Sequence, residues 1–285
     1  MDDPNKGVTM KKVTISSLSK IAGITRQAYY KVKRLRQYKQ YDEETILNWV
    51  MQLRNHHPRM GGRKLFNELQ CFFKEHNISL GRDRFFDLLR RNNLLVYRKK
   101  LFARTTYRDE SLPVFRNLLY DLEPTRPNQV WVSDITYIDT QEGYMYLSLL
   151  TDLYSRKIVG YQMSESLESK EALKALEKAI EELPSNRYPI HHSDRGSQYC
   201  CHGYVKALKD RGLPVSMTEE NHCYENCYAE RVNGILKDEY NLDMKFKSKK
   251  QATLAVEQAI LMYNNYRPHL SLDYKKPAQI HQLAA

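Results

Sequence analysis

At 285 residues, 41% of them hydrophobic, the chain is long enough for two or three domains with a sizeable buried core, which excludes a disordered polypeptide. No apolar run reaches the ~18 residues of a membrane span, the opening Met1 to Gly7 is polar, unlike a signal peptide, and Cys71, Cys200, Cys201, Cys223 and Cys227 lack the pairing pattern of a secreted scaffold, so a cytoplasmic protein without a membrane partner is expected. The formal net charge of +11 is unevenly placed: residues 1–125 hold 25 Lys+Arg against 13 Asp+Glu, residues 126–285 hold 20 against 21, and the basic part is the one suited to a polyanion.

In chain order, Ser16 or Ser17 is placed to cap a short helix bearing Leu18 and Ile21. Gly23 supplies a tight turn, and Thr25 caps a second helix carrying Arg26, Gln27, Lys31 and Arg34. Helix, glycine turn and basic helix form the helix-turn-helix plan, in which the second helix enters the major groove, although an ordinary helical hairpin shares so short a pattern. This unit is expected over residues 1–38.

A second such DNA-binding unit is expected over residues 39–104. Asp42 can cap a helix with the apolar stripe Ile46, Trp49, Val50 and Leu53, ended by Pro58 and Gly61-Gly62. A helix with Leu65, Leu69 and Phe72 follows, then a turn at Ser79-Leu80-Gly81. The next helix turns Phe85, Phe86 and Leu89 inward and leaves Arg82, Arg84, Arg90 and Arg91 for solvent or phosphate. Arg98-Lys99-Lys100 extends the basic patch, and a linker over residues 105–127 carries Pro113, Pro124 and Pro127.

From residue 128 the pattern changes to strands. Val130 to Ile138, Tyr144 to Leu150 and Ile158 to Met163 are rich in β-branched and aromatic residues; a helix over about 170–182 leads to a strand from Tyr188 to Ser193. A helix at about 203–211, a short strand at Pro214–Met217 and a helix from about Glu225 to Tyr240 complete an α/β pattern of RNase H type. Asp134 lies inside the first strand, where a carboxylate is costly without a partner or a task. Asp194 ends a strand in His191-His192-Ser193-Asp194-Arg195-Gly196, where side chains meet ligands or simply cap the next helix. Asn226, Glu230, Asn233 and Lys237 form one helical stripe, which on its own fits a solvated face equally well.

Together these residues carry a resemblance. Trp131 to Tyr137, His192 to Tyr199 and Ala229-Glu230 resemble the integrase core of bacterial insertion-sequence transposases, with 35 residues between Asp194 and Glu230. Lys237 matches that group's basic residue, and Tyr263-Asn264-Asn265-Tyr266-Arg267-Pro268-His269 with Pro277 its C-terminal signature. The pattern is most similar to the second-reading-frame protein of the insertion-sequence-three family, over nearly the whole chain. The resemblance implies an RNase H-like integrase core with a C-terminal helix over residues 128–285, preceded by all-α helix-turn-helix domains. It implies a transposase that binds terminal inverted repeats and target DNA, cuts and joins strands, and forms a homo-oligomer on DNA in the bacterial nucleoid, with a first-reading-frame protein as a possible partner. Asp134, Asp194 and Glu230 are the implied catalytic and metal-binding residues; Asn226, Asn233 and Lys237 are expected on DNA.

Three converging carboxylates repel unless cations sit between them, and oxygen-only donors select Mg²⁺, with Mn²⁺ able to substitute, over zinc; the resemblance implies two such ions. Cys200-Cys201-His202 with His222, Cys223 and Cys227 lacks the usual zinc spacing. Glu225, where the family often has Asp, and the acidic Glu219-Glu220-Asn221-His222 depart from the family pattern and bear on target preference. The competing readings are a DNA-binding regulator with an inactive core, which leaves the full triad unexplained, and a stand-alone nuclease such as a resolvase or RNase H, which leaves the helical units unexplained.

Overall fold

The computed structural model describes residues 14–97, 113–219 and 226–283, excepting the side chains of residues 35–42; Arg98-Lys99-Lys100, the first part of the expected linker and the loop from Glu220 to Glu225 lie outside the described residues. Helix α1 (Ile15–Ile21) is capped by Thr14, whose hydroxyl accepts the Ser17 N–H at 3.2 Å. Thr14 has the extended backbone a cap needs, so Ser16 and Ser17, expected as caps, fall inside the helix. Gly23 makes the turn at φ +66°, and Thr25 caps α2 (Arg26–His56) by accepting the Ala28 N–H at 3.1 Å. With no glycine or proline before Pro58, α2 runs unbroken through Asp42, which therefore starts no new helix.

Helices α3 (Gly62–Glu68), α4 (Gln70–Glu75) and α5 (Arg82–Arg91) fold back on the C-terminal half of α2. Ile46 and Val50 pack there with Leu65, Leu69, Phe72, Phe73, Phe85, Leu88 and Leu89 in an apolar cluster. Helix α1 has no such cover, and its Leu18 and Ile21 are exposed.

The second half is built on a five-stranded sheet in the order β3-β2-β1-β4-β5. Strands β1 (Val130–Thr140), β2 (Gly143–Asp152) and β3 (Ile158–Ser164) form an antiparallel meander. Strands β4 (Ile190–Ser193) and β5 (Val215–Met217) add to the other side of β1, parallel to it. An antiparallel meander extended by parallel strands is the RNase H-like arrangement. Helix α6 (Ser169–Glu181) crosses from β3 to β4, and α7 (Ser197–Cys200) and α8 (His202–Asp210) cross from β4 to β5. Helices α9 (Cys227–Tyr240), α10 (Lys249–Tyr266) and α11 (Pro277–Leu283) follow the sheet.

Strand alternation sorts the side chains into two cores. Ile138, Leu147 and Leu149 pack against Val232, Ile235 and Leu236 of α9 and Val256, Ile260 and Tyr263 of α10. Trp131 and Leu150 face the opposite way, onto Ala175 and Leu176 of α6 and Tyr204 and Leu208 of α8. On that side β3 comes unusually near α6: a Cβ on Gly160 would lie 2.3 Å from the Ala175 carbonyl oxygen and 2.8 Å from Ala179 Cβ. Among the described residues no helix is long and apolar enough to cross a membrane.

Candidate active site

Asp134 is in the middle of β1, and parallel pairing of Val132 with His192 sets Asp194 beside it at the end of β4. The Asp134 carboxylate is held at both oxygens. Oδ1 accepts the Ile135 N–H at 2.9 Å and Oδ2 accepts the Asn233 side-chain amide at 2.8 Å. A carboxylate has lone pairs beyond these two bonds, so both oxygens keep the capacity to bind a cation. Asp194 Oδ1 accepts the Gly196 N–H at 3.0 Å in a tight turn, and a Cβ on Gly196 would itself lie 3.0 Å from that oxygen.

Electrostatics ties the carboxylates together. Burial pushes Asp134 up to about 7, and the Asp194 charge adds to the rise; the Asn233 and Ile135 hydrogen bonds oppose it, and Glu230 contributes a smaller repulsion. Glu230, in the first turn of α9, is also raised, by partial burial and then by Asp194. Among the described residues, however, no three of His, Cys, Asp or Glu stand close enough to enclose a metal ion as they are. The two aspartates are brought together, whereas the exposed Glu230 is sensed through its charge. The donor set is all oxygen, anionic and mutually repelling, which suits a hard divalent cation.

The asparagines expected on DNA are turned inward instead. Asn226 is 2% exposed and donates to the Ser133 carbonyl oxygen at 3.1 Å; Asn233 is 6% exposed and donates to Asp134. These bonds pin α9 to β1 on either side of Glu230, so Asn226 and Asn233 of the predicted stripe face the sheet while Glu230 stays exposed. Lys237, also expected to reach outward, is part-buried; burial lowers its pKa while the charges of Asp134 and Asp243 favour its ammonium form. Its neighbour Glu239 is engaged by Lys64 and Arg267.

Sequence reasoning missed the support behind the aspartates. His191 Nε2 lies 2.7 Å from Ser133 Oγ and 2.9 Å from the Tyr204 hydroxyl. Burial drives His191 down to about 3, so the ring is neutral, and the contact braces the residue before Asp134. Three polar residues in a row, His191-His192-Ser193, at the three buried positions of β4 were the available signal.

In the helical half Arg26, Gln27, Lys31 and Arg34 are all exposed on one end of α2. On α5, Arg82 pairs with Asp83 at 3.1 Å, Arg91 with Glu43 at 3.2 Å and Arg90 with Asp87, all at exposed positions. Exposed pairs of this kind contribute little stability. Arg84 is exposed on the same helix.

Residues 124–223 and residues 211–277 each match an integrase core domain family. The chain is 37% identical over 94% of its length to the 31 kDa protein of insertion element IS600 from Shigella sonnei, covering 100% of that protein. It is 30% identical to the transposase InsF of insertion sequence IS3A from Escherichia coli (strain K12), covering 90% of each chain. Among solved structures, the HTLV-2 integrase catalytic core domain is similar with a TM-score of 0.45 at 21% identity, over 56% of this chain and 99% of that one.

Proposed function

Because the chain belongs to the insertion-sequence-three family of transposases, enzymes that cut and join DNA strands, we propose that Asp134, Asp194 and Glu230 carry that chemistry. The observation behind the assignment is the raised Asp134, half-buried between two further negative charges. A carboxylate raised this far is only partly ionised near neutral pH, and a cation beside it would restore the ionised form. Two Mg²⁺ ions, replaceable by Mn²⁺, would bind these carboxylates and supply activation of the attacking oxygen and charge stabilisation on the leaving one.

The protein's own groups then have defined tasks. Asn233 and the Ile135 amide orient Asp134, and the Gly196 turn orients Asp194. Glu230 completes the set from α9, and Lys237 places a cation near Asp134, where it can also meet a DNA phosphate. Water is the nucleophile for the nick at the element end, and the freed 3′-hydroxyl is the nucleophile for strand transfer. Arg26, Gln27 and Lys31 on α2, with Arg82, Arg84, Arg90 and Arg91 on α5, hold the terminal inverted repeats. The protein works as a homo-oligomer on DNA in the bacterial cytoplasm at the nucleoid, with a first-reading-frame protein as a further partner. The organisation we propose is a helix-turn-helix over residues 1–38, a second helical DNA-binding unit over 39–104, a linker over 105–127 and the catalytic core over 128–285.

The test incubates purified protein with a duplex oligonucleotide carrying the element end, with and without Mg²⁺ or Mn²⁺. Metal-dependent nicking and joining is expected, abolished in Asp134→Asn. Metal-independent cleavage, or full activity in that variant, would overturn the assignment.

A further inference from the structure

Helix α9 carries Glu230 in its first turn and Glu239 in its last, and the far end is held with unusual thoroughness. The Arg267 guanidinium grips Glu239 in a bidentate pair, Nε to Oε2 and Nη2 to Oε1, both at 2.9 Å. Lys64 Nζ, from α3 of the helical half, reaches the same Oε1 at 2.5 Å. The Arg59 backbone N–H donates to the Glu239 carbonyl oxygen at 3.1 Å, and His57 Nδ1 lies 3.0 Å from the Tyr240 hydroxyl. A second tie joins Lys276, just before α11, to both oxygens of Glu68 at 2.9 and 3.1 Å.

The charges in this joint are withdrawn from water. Arg267 is 3% exposed, and the side chains of Lys64 and Glu239 are 16% and 17% exposed. Glu239 is held below the usual carboxylate range by Arg267 and Lys64 against the opposing effect of burial. Such a group is a poor source of stability but a strict one for geometry, since only the matching arrangement satisfies it.

We propose that Glu239 is a positioning residue that locks the helical DNA-reading half to the helix bearing Glu230, so that the two act as one ruler. The distance from the sequence bound by α5 to the phosphate that is cut is then fixed by this joint. This inference rests on the proposed function, because it presupposes that the helical half binds element ends and the core cuts them.

Lys64→Met tests it. The substitution preserves much of the side-chain volume and leaves the Arg267–Glu239 pair intact, so the buried arginine keeps its partner. Lys276→Met loosens the second tie independently. Cut positions on an end-labelled terminal duplex are mapped to the nucleotide. Wild type should cut at one phosphate. Lys64→Met should scatter cuts over neighbouring phosphates and slow strand transfer on the order of 10- to 100-fold, as misplacement of reacting groups does. Lys64→Arg should restore a single cut.

A purely structural role would lower activity without moving the cut. Amide exchange on the full chain gives a readout independent of activity: the Arg59 amide and residues 62–68 should exchange about tenfold faster in Lys64→Met, while β1 stays protected. A wild-type cut position in Lys64→Met would overturn the ruler whether or not exchange rises, and unchanged exchange would overturn the lock. If the wild-type protein itself cuts no terminal duplex, the functional reading fails, and the exchange data still decide whether the joint is a lock.

Discussion

The helical half and the sheet half handle polar residues in opposite ways. In the helical half an apolar cluster surrounds Ile46, Leu65 and Phe85, the buried His57 sits where this half meets Tyr240, and Arg26, Lys31, Arg82, Arg84 and Arg90 stay at the surface. In the sheet half Ser133, His191, His192, Asn226 and Asn233 are buried next to a half-buried Asp134. Charge at a surface provides affinity that salt can screen, and tolerates loss of single members. Polar groups inside must be satisfied one by one, so the same number of substitutions does far more harm there. On the proposed division of labour, binding is therefore spread out, whereas chemistry is concentrated.

The largest expected effect lies in the sheet half. Asp194→Asn or Glu230→Gln should each cost on the order of 10²-fold or more in strand cleavage while leaving DNA binding unchanged, by analogy with other removed stabilisers of transition-state charge. Single-turnover rates with a gel-shift control check this, and a Glu230→Gln enzyme near wild-type rate would remove Glu230 from the set. Next comes Asn233→Leu, which takes away the hydrogen bond to Asp134 Oδ2. A fall of about 10- to 100-fold is expected, with a higher metal concentration for half-activation, as for residues that orient metal ligands.

Smaller effects should mark the helical half. Arg84→Ala and Lys31→Ala should weaken terminal DNA binding with a salt slope smaller by about 1 each, and leave the metal requirement unchanged. Lys237→Ala should show the same slope change although it lies in the core; an unchanged slope and unchanged activity would leave it no DNA contact. Finally, acid should weaken the fold. Burial depresses His57 to about 4 and His191 to about 3, so both are neutral when folded. Their contribution is complete above the unfolded value near 6.5 and is lost as pH falls through those depressed values. For His191 alone this is about 3 kcal/mol by pH 4, one pKa unit being worth ~1.4 kcal/mol. Denaturant midpoints between pH 7 and pH 4 measure it, and a flat profile would mean that His191 is not held neutral.

Much of this was legible in the sequence, for local reasons. β-branched runs announced the strands, and Thr25 and Gly23 announced the start of α2 and the turn before it. Thr14 does not stand out as the cap in the sequence, since three hydroxyl residues stand within four positions and only backbone geometry separates cap from first turn. Asp42 resembles a cap in the sequence, whereas a helix with no breaker simply continues through it. Asn226 and Asn233 were assigned to the right face of α9 but to the wrong neighbour, since periodicity gives a stripe without saying what covers it. The Glu239 joint was invisible for a different reason. Its partners Lys64 and Arg267 are 175 and 28 residues away, and Lys237-Asp238-Glu239 reads locally as an ordinary solvated run.

Gly160 has a consequence for how activity responds to temperature. A methyl group there would press on the Ala175 carbonyl and the Ala179 nitrogen, 2.3 and 3.2 Å away, which are partners within one turn of α6. Helix α6 would have to lift off the sheet, loosening the core that it shares with Trp131 and Tyr204 behind the aspartates. Helices α2 to α5, which carry the proposed contacts to element ends, would not change. Gly160→Ala is thus the design for a conditional enzyme, one that still grips its element ends when warmed but no longer cuts them.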